Sequence, residues 1–233
     1  MVELAVHRKP RVGVCSTGEE LVDLGSGPPG SGQIYDSNRP FMNAMMRSFG
    51  CDVVVNEHVG DTLEEMVGFL HRAMDASLDL VISSGAVSMG TYDFVKPALK
   101  AVGAQIVFHK VTQKPGKPLL FAILANGTLY FGLPGNPIST IVGFHFLIIP
   151  LVKKLQNDKI KWRSALLLNS QMKQSNMTLF LRGVKKDKYI KILPGQESYK
   201  ISTLIKANCW VLLNQNYSFI RKGTTIKYLD YEN

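Results

Sequence analysis

Between residues 11 and 156 the chain alternates short apolar runs with helical patterns, and this alternation limits the fold more than any other feature. RVGVCST (11–17) reads as a buried strand, CDVVVNEHV (51–59) as β-rich, and LDLVISSG (78–85) as another buried strand. QIVFHKV, PLLFAIL and TLYFGL follow as three more. RPFMNAMMRSF (39–49) has helical spacing and stops at Gly50, a C-cap. DTLEEMVGFLHRAM (61–74) opens on Asp61 as N-cap, with Glu64 three residues on. DFVKPALKAVG (93–103) reads as a helix bent or interrupted near Pro97. NPISTIVGFHFLIIPLVKKLQ (136–156) is a long apolar helix with Pro137 in its first turn. Such alternation predicts a mostly parallel sheet with helices on both faces. Ligands then belong beyond the carboxyl ends of the strands, on the loops.

The second part has a different pattern. LLLNSQ, MTLFLRGVK, YIKILPG, CWVLLN and GTTIKYLDY are short strands separated by turn residues, a small all-β domain of sandwich or barrel type. Charge changes at the same place. Residues 1–150 carry a formal net charge of −2 and residues 151–233 carry +11. We place the boundary so that residues 1–156 form an α/β domain and 157–233 the β domain. A basic second part suits anionic partners, or a surface simply painted with lysine. Few aromatics interleave those lysines, which disfavours nucleic acid.

With 233 residues and 45% hydrophobic content, there is enough apolar material for real cores. The longest apolar run, IVGFHFLIIPLV (141–152), is too short to span a bilayer, and MVELAVHRKPRV has no apolar core of signal-peptide length. Cys15, Cys51 and Cys209 are far apart and form no CxxC, so they read as reduced buried thiols of a cytoplasmic protein.

Four loops follow strands. STGEEL (16–21) offers hydroxyls, backbone N–H groups and Glu20 to an oxyanion or phosphate, or is an ordinary strand exit. In GQIYDSNRP (32–40), Ser37 or Asn38 caps the next helix, which leaves Asp36 freer to bind. SSGAVSMGTYD (83–93) is a Gly/Ser loop before a helix, but lacks the GxxxxGK[ST] spacing of a nucleotide P-loop. Its Asp93 is either a cap or a carboxylate for Mg²⁺. GLPGNPIS (132–139) is stiffened by Pro134 and Pro137 and aims a helix N-terminus and Ser139 at a cleft. KPGKP (114–118) is equally stiff and lies between apolar runs, so both loops are expected to join elements of one sheet. Its two ammonium groups repel unless an anion sits between them.

STGEEL, GQIYDSNR, SSGAVSMGTYDFVK, KPGKP and GLPGNPIS, in this order, resemble the molybdopterin molybdotransferase family: bacterial MoeA, the gephyrin E-domain and its plant counterpart. FLRG (180–183) and GQESYKISTLIKAN (195–208) resemble the same family's C-terminal β domain. The resemblance implies a three-layer α/β/α sandwich followed by a small barrel-like domain. It implies Mg²⁺-dependent insertion of molybdate into adenylylated molybdopterin, with release of AMP. By position, Glu20 and Asp93 are the implied catalytic and Mg²⁺-holding carboxylates. Thr17, Gly18, Asp36, Ser84, Gly85, Ser88, Pro134, Asn136 and Pro137 are the implied molybdopterin-site residues. Lys114, Lys117, Ser139, Arg182 and Ser198 are the implied molybdate ligands. A homodimer in the full-length protein and a molybdopterin adenylyltransferase are the implied protein partners, with no membrane span.

Three departures stand out. Family members carry two further N-terminal domains, whereas this chain begins at the linker-like VHRKPRV, as a fragment or a shortened protein would. The family's Gly-Gly in the Gly/Ser loop is Gly85-Ala86, and alanine resists φ > 0. Where the family has two acids after the second strand, Asp61-Thr62 stands here, so Asp61 as a helix cap is an equal reading. The alternative function is a non-catalytic molybdopterin-binding or scaffold module of the same fold.

Overall fold

A computed structural model describes residues 6–87, 94–173, 175–216 and 218–231. The first strands and helices run β1 (Arg11–Thr17), β2 (Leu21–Val22), β3 (Ile34–Tyr35), α1 (Asn38–Ser48), β4 (Asp52–Val59), α2 (Leu63–Asp75), β5 (Leu80–Ser84) and α3 (Val95–Ala101). Then come β6 (Gln105–His109), β7 (Gln113–Lys114), β8 (Leu120–Ile123), β9 (Leu129–Leu133), α4 (Pro137–Gly143), a π-helical turn (Phe144–Ile148) and α5 (Ile149–Leu155). The remainder is β10 (Arg163–Leu167), β11 (Gln171–Met172), β12 (Thr178–Lys186), β13 (Tyr189–Ile192), α6 (Ser202–Lys206), β14 (Cys209–Leu213), β15 (Phe219–Ile220) and β16 (Thr225–Asp230).

The first large sheet has the order β4-β1-β5-β9-β8-β6. Its first four strands are parallel, and β8 and β6 add antiparallel pairs. Alternate residues serve opposite faces, as the pleat requires. Val81 meets Met66, Phe69 and Leu70 of α2 and Leu99 of α3 on one side. Its neighbours Leu80 and Ile82 meet Met42 and Met46 of α1, and Phe144, Ile149 and Val152 of the last helix, on the other. Burying a leucine- or phenylalanine-sized side chain is worth about 1.5–3 kcal/mol, so these two clusters fix the three layers.

The second sheet runs β13-β10-β16-β14-β12, and β12 also pairs with β13, which closes a five-stranded barrel. Ala165, Leu167, Leu181, Ile190, Val211 and Ile226 fill it. One strand was not expected there. β7, which carries Lys114, pairs with β12 in parallel register, Gln113 opposite Thr178 and Lys114 opposite Leu179. KPGKP therefore does not join two elements of one sheet. It leaves the first sheet, becomes an edge of the second, and returns.

Several local expectations change for physical reasons. Thr62, not Asp61, caps α2: its Oγ1 accepts from Glu65 N–H at 3.2 Å and donates to the Glu65 carboxylate at 2.7 Å. Thr62-to-Glu65 has the capping-box spacing that Asp61-to-Glu64 also offered. Neither Ser37 nor Asn38 caps α1; Asp36 Oδ1 accepts from the N–H groups of both Asn38 and Arg39, each at 3.1 Å. Pro97 does not bend α3, because the helix begins at Val95 and the proline falls in the first turn, where no N–H is needed.

The last helix is continuous from Pro137 to Leu155, long and apolar enough by length and composition to cross a membrane. This exceeds the apolar run read from the sequence, yet more than half of it is buried in the protein. Pro150 lacks an N–H, and the preceding turn widens so that Ile149 N–H bonds to Phe144 C=O. The turn presents His145 and Phe146 to the barrel. There Phe146 stacks on Phe180 at 4.0 Å between ring centroids, and Trp210 lies 6.0 Å from His145 and 5.3 Å from Tyr231.

His145 is buried, and burial pushes its pKa down to about 4. The unfolded chain, near 6.5, therefore binds more protons in between, so stability is full above pH 6.5 and falls as pH drops towards 4. The loss amounts to about 3 kcal/mol at one residue. Chemical denaturation at pH 7 and pH 4.5 should show it, and His145→Phe should remove that share of the acid sensitivity. An unchanged slope in the variant would show that His145 is not its source.

Candidate functional site

Two clefts hold most of the expected site residues, and the first opens at the carboxyl ends of parallel strands. The first, about 570 Å³, lies between the β1 and β5 loops and is lined by Thr17, Gly18, Glu20, Asp61, Ser84 and Gly85, among others. The Thr17 residue is nearly all buried, at 4% exposure, and its Oγ1 has no hydrogen-bond partner among the described residues. Leaving a buried hydroxyl unpaired costs about 1–3 kcal/mol, which marks a place for a ligand atom.

Gly18 has φ +139°, and a Cβ there would lie 2.6 Å from a Glu20 carboxylate oxygen. The glycine lets the Glu20 carboxylate fold back over the loop. Gly85 is equally constrained: φ is +105°, and a Cβ would meet Thr17 Oγ1 at 2.5 Å and Thr17 O at 2.6 Å. Ala86 takes φ +46°, so the loop keeps a left-handed turn despite the methyl group. The cost is roughly 1–2 kcal/mol, and the backbone path is not lost.

Ser84 Oγ accepts from Asn38 Nδ2 at 2.7 Å, and the same Nδ2 donates to Gly135 C=O at 2.7 Å. Asn38 thus ties the β5 loop to the β9 loop. Asp61 Oδ2 accepts from Glu19 N–H at 2.9 Å, so it braces STGEEL and lines the cleft instead of capping α2. Ser88 and Asp93 lie outside the described residues.

The second cleft, about 1040 Å³, lies between KPGKP, α4 and the barrel. Lys114, Lys117, Ser139 and Ser198 all line it. The KPGKP turn is pinned from within: Gln113 Nε2 donates to Pro115 C=O at 3.3 Å and to Gly116 C=O at 3.4 Å. Gly116 has φ +87°, and a Cβ would come within 3.4 Å of Ser139 C=O, so the turn sits directly on α4. Both lysines are exposed, and neither has an ion-pair partner among the described residues.

Other expected site residues are occupied elsewhere. Asp36 is 2% exposed, and its Oδ2 accepts from Arg39 Nε at 3.2 Å, so both oxygens already serve groups of the protein. Asn136 Oδ1 accepts from Ile138 N–H and Ser139 N–H as the N-cap of α4. Pro134 gives its carbonyl to Thr140, and Pro137 starts the helix. These three shape the loop that carries Gly135 to one cleft and Ser139 to the other. Arg182 is 1% exposed. Its guanidinium donates to the carbonyls of Lys200, Gly195 and Glu197 at 2.9, 3.0 and 3.3 Å, and to Gln196 Oε1. It is the anchor of the loop bearing Ser198, not a side chain held out to an anion. Burial pulls its pKa down, and the charges of Tyr231 and Glu197 oppose that.

The fold is that of an α/β protein whose three layers are followed by a small closed β-barrel, with one cleft at the strand ends and another beside the barrel. Residues 13–154 match the family model described as a probable molybdopterin binding domain, and residues 164–231 match the MoeA C-terminal region, domain IV. The chain is 37% identical to a molybdopterin molybdenumtransferase of Haemophilus influenzae over 97% of its own length and 57% of that protein. It is 35% identical to the enzyme of that name from Synechococcus elongatus, with the same coverage. The crystal structure of a Pyrococcus horikosii molybdopterin biosynthesis MoeA protein superposes with a TM-score of 0.79 at 25% identity, over 97% of this chain and 55% of that one. The chain belongs to the molybdopterin molybdenumtransferase family and spans rather more than half the length of these relatives.

Proposed function

We propose that the chain is the molybdate-inserting part of a molybdopterin molybdenumtransferase. It acts in molybdenum cofactor biosynthesis on adenylylated molybdopterin and releases AMP. One observation carries this reading. Lys114, Lys117, Ser139 and Ser198 come from three distant stretches of sequence, yet line one cleft. A tetrahedral dianion neutralises the two ammonium groups, and hydroxyls suit its remaining oxygens. Thr17, Gly18, Ser84 and Gly85 then receive the organic substrate in the neighbouring cleft, with the unpaired Thr17 Oγ1 donating to it.

Glu20 and Asp61 line that cleft, and Mg²⁺ is commonly held by one or two carboxylates together with substrate phosphates. Glu20 is a donor of the kind such an ion takes and, with Asp93, would hold it; bound Mg²⁺ would supply charge neutralisation at the phosphates. Glu20 keeps a carboxylate at the reacting phosphate, and Asp61 positions the loop that carries it. The protein partners this reading implies are a second copy in a homodimer and a molybdopterin adenylyltransferase, in the cytoplasm.

The test is AMP release from adenylylated molybdopterin with Mg²⁺, with and without molybdate, beside molybdate binding by calorimetry. Molybdate-dependent release is expected, lost in Glu20→Gln while molybdate binding persists. A chain that neither binds molybdate nor releases AMP in its presence would falsify the reading.

A further inference from the structure

The first cleft is bordered by one side chain to which the proposed chemistry gives no task. Asn38, the first residue of α1, lines it together with Ser84 and Gly135. Gly135 C=O, at 2.7 Å, can only accept, so the amide turns its nitrogen to it. Nδ2 donates its second hydrogen to Ser84 Oγ, also at 2.7 Å, and has none left. The other end of the amide, Oδ1, has no hydrogen-bond partner among the described residues. It is an acceptor whose direction is fixed before any ligand arrives. The backbone is fixed as well, because Asp36 Oδ1 accepts from Asn38 N–H at 3.1 Å. An apolar wall stands in the same cleft: Leu21 and Ile34, cross-strand partners on β2 and β3, and Phe94. Ile34 is 57% exposed. A phosphate oxygen, itself an acceptor, does not bond to Oδ1, whereas the apolar wall suits an organic ring.

We propose that Asn38 is a specificity-determining residue of this cleft. Its Oδ1 accepts a hydrogen bond from an N–H or O–H donor on the adenylyl half of the substrate, while Nδ2 holds the β5 and β9 loops together. This rests on the reading that the cleft receives the adenylylated substrate. In that reading the oxyanion joins the molybdopterin half, so that half faces the lysine cleft and the adenylyl half is left to the carboxylate cleft. Its base supplies a flat ring for Leu21 and Ile34, and its amino group and two ribose hydroxyls are the donors. A site that hydrogen-bonds a substrate donor rejects an analogue lacking it, because its own acceptor is then left unpaired.

The experiment titrates the chain, with Mg²⁺, against AMP, 2′-deoxy-AMP, 3′-deoxy-AMP, purine riboside 5′-monophosphate and inorganic pyrophosphate by calorimetry. The three analogues each lack one donor of AMP. One of them should bind the unaltered chain about tenfold more weakly than AMP. Asn38→Ala should weaken AMP by a similar factor and leave that analogue and pyrophosphate within about twofold. Ser84→Ala breaks the same tie from the other side and keeps Oδ1, so it should change AMP and the three analogues by one common factor. Asn38→Ala should fold, since the helix cap uses only the backbone of residue 38. Equal losses for AMP, the analogues and pyrophosphate in Asn38→Ala would show a purely structural role. Those equal losses, no loss for AMP, or three analogues that all bind as AMP does would each overturn the proposal. If Glu20→Gln abolishes molybdate-dependent AMP release while Asn38→Ala is silent, this inference falls and the proposed function stands. If the unaltered chain neither binds AMP nor releases it in the presence of molybdate, both fall.

Discussion

Replacing Lys114 and Lys117 together by Ala is expected to lower molybdate affinity by about a hundredfold or more and to leave thermal stability almost unchanged. A charge-assisted hydrogen bond is worth about 1.5–3 kcal/mol, and two of them exceed that factor. Stability should hold because the turn does not depend on its ammonium groups. Gln113 ties its carbonyls, and the β7–β12 pairing fixes its entry. Exposed lysines without ion-pair partners among the described residues contribute little to folding, so truncating them removes repulsion and no packing. Affinity should also fall with added salt in the unaltered chain and lose much of that dependence in the double variant. Retention of molybdate binding within about threefold would remove the lysines from the site. Molybdate and tungstate, tetrahedral dianions of similar size, should behave alike.

The second large effect is expected from Arg182→Ala, and it is of the opposite kind. This change should cost about 2–5 kcal/mol of stability, since it leaves the carbonyls of Gly195, Glu197 and Lys200 without the donor they share. For a chain of this size that is a fall of roughly 5–15 °C in the unfolding midpoint. Arg182→Lys should rescue little, because one ammonium cannot reproduce the planar fork that spans three carbonyls. Proteolytic cleavage between residues 195 and 201 should become faster in both variants. Anion affinity should fall only as far as the Ser198 loop loosens. A variant that kept full stability but lost molybdate binding would show the guanidinium to be a ligand, contrary to its burial.

The fold was largely readable because the sheet is buried on two faces. Strands such as LVISS are then buried from end to end, with the serines only where the strand meets its loop, and the helices between them carry one apolar stripe, so both leave clear marks. Cysteine chemistry was readable too: all three thiols are free and buried. What escaped were features with no period. β7 is two residues long, and nothing in QK says which sheet it will join. Asp61 and Thr62 both offer a capping oxygen with a glutamate three residues on, and only the entry angle of the chain selects the threonine. Asp36 looked available because a neighbour could have capped α1, but a carboxylate that accepts from two N–H groups and Arg39 is the better cap. Arg182 is typical of the limit. The resemblance assigned it to the molybdate, whereas its burial follows from loop carbonyls thirteen to eighteen residues away, which no local pattern announces. In the site, Lys114, Lys117, Ser139 and Ser198, singled out from the sequence, line one cleft, because stiff loops carry them there.

The edge strand β7 has a mechanical meaning. It belongs to the barrel by hydrogen bonding and to the α/β sheet by the segments that lead into and out of it. The Phe146–Phe180 stack clamps the same joint from the other helix end. The barrel therefore cannot swing away from the sheet without unzipping a strand and parting stacked rings. Opening the space between them would break both contacts at once. The same strand that joins the two parts carries Lys114 at its end, so the lysine's place is set by the joint itself.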